Sequence, residues 1–387
     1  MNRFCSIFSQ LLQLFPRWEF QQLVLETKAE RHARGFSSWG QFVAMLFCQL
    51  GRAHSLREIC GGLASCEGKL HHLGIASPKR STLSYANEHR PWQLYEKVFY
   101  RLLDRCLRET EGRRKRRFRF KNPLLSLDAP VIDLCAQLFD WAHFCRTKGA
   151  VKLHLLLDHH GYLPVFAHIT EAAAADITVA RPLKFAAGTV VVFDRGYNDY
   201  NWYADLTRQG VFFVTRLKDR ADYEVLEDRP LPKNRRVVRD QVIFFHRLAA
   251  QDKTCFFRLV EIQDPLSGRL VFLTNHMDFG ATTIAAVYKE RWQIELFFKA
   301  LKQNLRVKTF VGTSANALKT QIWTALIALL ILKFLQLKAT FDWSLSNLAA
   351  LLRMNLFVHR DLWRWLNQPF KFPPLLPESS QPSFTFS

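Results

Sequence analysis

The stretch GTVVVFDRGYND, residues 188–199, decides how the chain folds. Val190–Phe193 is an apolar run without polar alternation, the pattern of a strand buried on both faces. Asp194 and Gly196 end it. In an open α/β sheet, ligands gather beyond the carboxyl ends of the central strands. Asp194 is therefore a candidate functional residue. The plainer alternative is a turn in which Asp194 and Arg195 make a surface ion pair.

Working outward, PLLSLDAPVIDL (123–134) reads as an apolar strand interrupted by Asp128. KLHLLLDHHGYLPVFAHIT (152–170) reads as a hairpin turning at DHHG. A helix is predicted near Asp176–Lys184, another at YADLTRQG (203–210), and a strand at VFFVTRLK (211–218). Three strands in a meander, then helix, strand, helix, strand is the layout of a ribonuclease-H-like fold. Residues 218–277 read as a β-rich insertion, with VIFFHRLA, CFFRLVEI and RLVFLTN as strands.

The expected fold class is thus α/β: a ribonuclease-H-like core with a β-rich insertion, an all-α N-terminal domain before it and C-terminal helices after it. The expected divisions are 1–111 helical, 112–123 a basic linker (GRRKRRFRFKNP), 124–340 the core, 341–370 C-terminal helices and 371–387 a disordered Pro/Ser-rich tail. The N-terminal part holds a capping box at Ser55 and Glu58 and a second short helix after Ser77-Pro78. That second helix carries Lys79, Arg80, Ser81, Ser84, Asn87 and Arg90. The pair resembles a helix-turn-helix with its reading helix second, though its connection is longer than the compact turn. A helical bundle with a wet face is the alternative.

Composition narrows the function. The 387 residues carry a formal charge of +20 and are 49% hydrophobic, which excludes a disordered chain and points to a polyanionic partner. Residues 1–122 hold 22 Lys and Arg against 10 Asp and Glu. The positive charge is densest there, so that third is the expected DNA-holding part. The eight cysteines form no CxxC pair and no zinc-finger spacing, and read as small buried hydrophobes in a reducing compartment. TALIALLILKFLQL is too short before Lys333 to span a bilayer, and no signal peptide opens the chain, so a cytoplasmic protein without a membrane partner is expected.

YKERWQIELFFKALK (288–302) carries the rest of the chemistry. It reads as one helix. At about 3.6 residues per turn, Tyr288, Arg291, Glu295 and Lys302 share an arc of roughly 60°, with Lys299 close by. Val287, Ile294, Phe297, Phe298, Leu301 and Leu305 form a separate apolar stripe. A solvated face with an i,i+4 ion pair is the alternative. In a ribonuclease-H-like sheet the strands of Asp128 and Asp194 are central neighbours, and a helix packed over them could add Glu295. Asp133 and Asp158 are rival acids. Carboxylates that converge repel unless a cation joins them, and hard oxygens with open positions suit two Mg²⁺ or Mn²⁺ ions performing phosphoryl transfer. Arg291, Lys302 and Tyr288 would then hold phosphates, with Lys299, Arg216 and Lys218 as further phosphate contacts.

With Tyr288, Arg291, Glu295 and Lys302 in Y-x2-R-x3-E-x6-K register and FDRGYND around Asp194, the chain resembles bacterial insertion-sequence transposases of the DDE class, specifically the insertion-sequence-four family. The resemblance covers about residues 120–340. Residues 1–110 resemble the N-terminal domain of one branch of that family. It implies Asp128, Asp194 and Glu295 as catalytic metal ligands, binding to double-stranded terminal inverted repeats and target DNA, and cut-and-paste transposition through a DNA hairpin. It also implies a dimer or larger assembly in the working complex, in the cytoplasm and on the nucleoid when bound. Ala129 stands where the family often carries Ser or Thr. Two rival readings are a ribonuclease-H-like nuclease without joining activity and a DNA-binding protein with a retired site.

Overall fold

The computed structural model describes residues 5–31, 33, 35–113, 117–135, 143–145, 148–233, 236–249, 251, 255–266, 268–304 and 310–371. The expected disordered tail lies almost wholly outside them.

Seven helices open the chain: α1 (Ile7–Leu12), α2 (Arg17–Thr27), α3 (Ser38–Gly51), α4 (Leu56–Ala64), α5 (Glu67–Leu70), α6 (Arg80–His89) and α7 (Gln93–Thr110). The α/β part follows as β1 (Leu124–Asp128), β2 (Val131–Cys135), β3 (His143–Cys145), β4 (Lys148–Asp158), β5 (Leu163–Glu171), α8 (Asp176–Ala180), β6 (Val190–Phe193), α9 (Tyr200–Arg208) and β7 (Phe212–Arg216). The insertion contributes β8 (Tyr223–Asp228), β9 (Val237–Phe245), α10 (His246–Ala249), β10 (Phe257–Asp264) and β11 (Gly268–Thr274). Last come α11 (Ala281–Glu290), α12 (Trp292–Asn304), α13 (Ala315–Lys338), α14 (Leu345–Asn355) and α15 (Leu362–Asn367).

The chain divides into two compact units, residues 114–299 and residues 1–113 with 300–387. In the second unit α13 packs on α3, α6, α7 and α14. It is long and apolar enough to cross a membrane by length and composition, yet 83% of its most apolar window is buried by these neighbours. Helices after residue 300 thus group with the N-terminal helices, whereas the expected core ran on to 340. An all-round apolar helix needs partners on every side, and the N-terminal helices supply them. Cys5, Cys48, Cys60, Cys66, Cys106 and Cys255 are free thiols.

In residues 114–299, β5, β4, β1, β6 and β7 lie side by side in that order. β1 is antiparallel to β4 and parallel to β6, and β6 is parallel to β7. This is the ribonuclease-H-like arrangement the layout predicts. The expected single first strand is β1 and β2 in one continuous register along β4, from Leu125 opposite Asp158 to Cys135 opposite Lys148. It breaks at Ala129-Pro130, because proline offers no N–H to a ladder. β7 continues the sheet through β11, β10, β9 and β8 of the insertion.

Side-chain alternation sorts the sheet's two faces. Leu127, Val191, Phe193 and Phe213 pack with Trp202, Tyr203 and Leu206 of α9. Leu124, Val190, Val192 and Val214 pack with Ala281, Ile284 and Val287 of α11. By the same alternation Ser126, Asp128 and Asp194 stand on the α11 side.

What seats α11 is Arg258. Its Nε and Nη2 donate to the two carboxylate oxygens of Asp240, each at 2.7 Å. Its Nη1 donates to the carbonyls of Met277, at 3.0 Å, and Phe279, in the loop leading into α11. Both members of the pair are buried. Removing one partner of a buried pair strands the other charge. Arg258→Met is expected to lower stability by about 3 kcal/mol or more, measured by urea unfolding. A loss below about 1 kcal/mol, the scale of an ordinary surface pair, would show the clamp to be idle.

Candidate active site

The parallel register of β1 and β6 sets Leu127 beside Phe193, so Asp128 and Asp194 are the next positions on adjacent strands. Both strands end there. Asp194 is held by its own turn: Gly196 N donates to its Oδ1 at 2.9 Å. A methyl group at Gly196 would stand 2.9 Å from that same oxygen, so a larger residue there would push the carboxylate aside. Thr215 Oγ1 donates to the Asp194 carbonyl at 3.2 Å.

Asp128 Oδ1 accepts from Ala129 N at 2.9 Å. Its carboxyl is pushed up to about 6, chiefly by burial, with Asp194 and Glu295 adding to the rise and Arg291 and the Ala129 N–H opposing it. The charges of Asp194 and Glu295 are thus both felt at Asp128.

The predicted single helix is two. α11 ends at Glu290 and α12 begins at Trp292. At the step, Arg291 N bonds to Tyr288 O at 3.0 Å and Ile294 N to Arg291 O at 3.1 Å, both tighter i→i−3 bonds. The stripe survives the break. Arg291 Nη2 lies 2.5 Å from Glu295 Oε1 and its Nη1 3.5 Å from Asp128 Oδ2. The guanidinium is thus shared between two carboxylates. Its carbon lies 5.7 Å from the Tyr288 ring centroid, and that ring packs on Phe272 at 5.0 Å. Burial raises the Tyr288 hydroxyl, against the charges of Arg291 and Arg216.

Arg216 is half-buried at the end of β7 and Lys218 is exposed beyond it. Further along α12, Lys299 is exposed and Lys302 half-buried. Of the rival acids, Asp133 is on β2, and Asp158, at the end of β4, accepts from His160 N at 2.8 Å.

The N-terminal set separates into two groups. Lys79, Arg80, Ser81 and Ser84 are exposed. Arg80, Ser81 and Ser84 line a groove of about 590 Å³ together with His54, Ser55 and Arg57. Asn87 and Arg90 do not join them. Asn87 is buried, accepting from Gln41 Nε2 at 2.9 Å. Arg90 donates to Gln41 Oε1 at 3.4 Å and to the Phe36 carbonyl, with its guanidinium 5.3 Å from the Phe36 ring. Both fasten α6 to α3 and its approach. α4 and α6 are joined through α5 and a short 3₁₀ turn, the longer connection the sequence indicates.

Sequence reasoning missed Glu290, a buried acid at the end of α11, and its partners Arg117, His159 and Tyr162. The sequence offers only a weak signal: Glu290 falls about 40° from Ile294 on a helical wheel, beside the apolar stripe.

The donor chemistry of Asp128, Asp194 and Glu295, all carboxylate oxygen, fits a hard divalent cation. Among the described residues no three His, Cys, Asp or Glu side chains stand close enough together to hold one ion. Between Asp128 and Glu295 the positive charge that relieves repulsion is Arg291.

Comparisons with known proteins show which family the chain is similar to. Residues 119–331 match the transposase DDE domain family, and residues 5–76 match a domain of unknown function, DUF4372. A Sinorhizobium fredii protein named as a transposase, y4zB, is 28% identical over 336 residues, covering 84% of this chain and 90% of that protein. A Geobacillus stearothermophilus protein named as a transposase for insertion sequence element IS5377 is 29% identical, covering 69% of this chain and 70% of that one. A Synechocystis protein named for insertion sequence element IS4SA is 24% identical, covering 66% and 71%. Among solved structures, a piggyBac transposase synaptic complex with hairpin DNA covers 97% of this chain and 84% of its own at 10% identity, with a TM-score of 0.47. With more than half of its length matched by that family, and with aspartates closing two adjacent parallel strands, the chain belongs to the DDE transposases.

Proposed function

We propose that the chain carries out cut-and-paste transposition of an insertion sequence, with Asp128, Asp194 and Glu295 as the acids of the cleaving centre. The observation that carries this is the β1–β6 register, which brings Asp128 beside Asp194 on the face where Arg291 reaches both Asp128 and Glu295. The three carboxylates would hold divalent ions, two Mg²⁺ or Mn²⁺ by the chemistry of the reaction. When bound, such ions make water or a 3′-hydroxyl a better nucleophile and neutralise the leaving oxygen.

The chain's own residues do the rest. Asp194 is oriented by the Gly196 N–H, and Asp128 by the Ala129 N–H. Arg291 carries a planar fork of donors suited to a phosphate, and Tyr288 stacks against it on the same side. After a first nick exposes a 3′-hydroxyl, these two would grip the DNA while that hydroxyl attacks the opposite strand, the step that leaves a DNA hairpin. Lys299, Lys302, Arg216 and Lys218 add positive charge along the strand's path. Lys79, Arg80, Ser81 and Ser84 would contact terminal inverted repeats from α6, and pairing two ends requires at least two copies of the chain. The working place would be the bacterial cytoplasm, on DNA.

Asp194→Asn and Glu295→Gln are each expected to lower nicking of a labelled inverted-repeat duplex on the order of a thousandfold or more, with end binding retained. Parental cutting by either variant would remove that residue from the centre. Arg291→Ala is expected to slow the second-strand step more than it weakens end binding; equal losses in both would count against a phosphate grip. At the N-terminal groove, Arg80→Ala should weaken end binding and reduce the salt slope by about one. Asn87→Ala should leave that slope alone and cost about 1–3 kcal/mol of stability, compared by salt titration and unfolding of the same preparations.

A further inference from the structure

We propose that Glu290 is a positioning residue for the cleaving centre, holding the α11–α12 break against β1 and the β4–β5 turn so that the Arg291 guanidinium faces Asp128. This rests on the reading of Asp128, Asp194 and Glu295 given above.

Glu290 is the last residue of α11 and is only 3% exposed. A carboxylate so deep is costly unless it is paired and bonded. Partners from two separate segments meet it. Arg117 Nη1, from the chain ahead of β1, lies 2.5 Å from Oε1. Tyr162, in the β4–β5 turn, donates its hydroxyl to Oε2 at 3.3 Å. His159, from the same turn, brings Nδ1 to 3.7 Å from Oε2, while its Nε2 shares a 2.6 Å hydrogen bond with Ser126 Oγ of β1. Burial alone would raise the Glu290 carboxyl. His159, Arg117 and Tyr162 outweigh it and hold the group below its ordinary value, so the charge stays.

The turn itself is shaped for this. Tyr162 has φ +56°, following Gly161 at +106°. A bulky residue is rare in that left-handed conformation, and strain of this kind gathers where the surroundings impose a side chain's placement. Here the side chain so placed is the one that donates to Glu290.

The network's two ends sit next to the centre. Glu290 is covalently adjacent to Arg291. Ser126 is two residues before Asp128 on the same face of β1. Hydrogen bonds from Ser126 to His159 and from Tyr162 to Glu290 therefore link β1 to the α11–α12 break through the β4–β5 turn, and this link sets the separation of Asp128 from Arg291, which stands at 3.5 Å. Misplacement of a catalytic group by about 1 Å is enough to cost much of a rate.

The test uses the full-length chain, Mg²⁺ and a labelled duplex carrying one end of the element. It measures end binding, the first nick and the second-strand step separately. Glu290→Gln, which keeps the shape and removes the charge, is expected to slow the second-strand step about tenfold. The first nick and end binding should stay within about twofold, reproducing the step selectivity expected of Arg291→Ala. Because Glu290 acts through Arg291, adding Glu290→Gln to Arg291→Ala should leave both steps at the values of Arg291→Ala alone. A merely structural Glu290 would slow both steps and weaken binding together, and would cost the same in both backgrounds; either result overturns the proposal. If Glu290→Gln does not fold, Tyr162→Phe removes one donor without a change of charge and carries the same comparison. An intact second-strand step in Tyr162→Phe would then overturn the proposal. Parental cutting by Glu290→Gln beside an inert Glu295→Gln rejects the positioning role alone. Parental cutting by Glu295→Gln rejects the underlying reading of the centre.

Discussion

The parallel pairing of β1 with β6 is the constraint on which the α/β unit turns. Pairing Leu124–Leu127 with Val190–Phe193 in step leaves two aspartates at the point where both chains depart. Two like charges so placed would force the sheet's end apart or raise a pKa. The molecule answers in two ways. Short N–H bonds from Ala129 and Gly196 orient each carboxylate, and a cation from the helical side approaches one of them. Even so burial, with a smaller push from the neighbouring acids, keeps Asp128 well above the usual carboxylate range. Acids kept this close in a half-dry place are unfavourable for folding and suited to gathering positive charge.

Around that point lie three layers of support with different chemistry. Beneath the sheet, Phe193 packs on Trp202 and Tyr203, ring centroids 4.8 and 5.8 Å away, and holds the end of β6 by dispersion and burial. Above it, α11 is apolar through Ala281, Ile284 and Val287, then changes character within one turn to Tyr288, Glu290 and Arg291. Outside, the insertion braces α11 through the buried Arg258–Asp240 pair. The break at Arg291 lets one residue leave the helical ladder without the next helix losing its face.

How much of this could be read beforehand depends on whether a residue's role is local. Asp194 was legible because four apolar residues in a row admit few readings and an acid ending them stands out. Glu295 was legible because its partner Arg291 is four residues away. The fold followed from the order of strands and helices, with Pro130 marking the bend in the first strand. What escaped was set by tertiary partners. Glu290 looks like one more surface charge until Arg117, Tyr162 and His159 are seen to meet it, and those lie more than a hundred residues upstream. Asn87 and Arg90 looked like base readers. Yet Leu83, Ala86 and Asn87 follow i, i+3, i+4 spacing on one helical face that is turned inward, and Arg90 ends the helix half-buried against Gln41 and Phe36. The grouping of α13 with the N-terminal helices leaves no mark in its own sequence, since a helix apolar on all sides names no particular neighbour.

The discontinuity of the helical unit has a consequence for synthesis. Residues 1–113 and the helices after residue 300 form one body, and α13 supplies Trp323, which packs against Phe99 and Tyr100 of α7. A chain leaving the ribosome presents α7 more than two hundred residues before α13 exists. At about 5–20 residues per second, the apolar side of α7 stands without its cover for roughly ten to forty seconds. The strands and helices of residues 114–299 are all made within that interval. The unit that begins first is thus completed last, and the ribosome-bound chain carries a finished α/β unit behind an unfinished helical one.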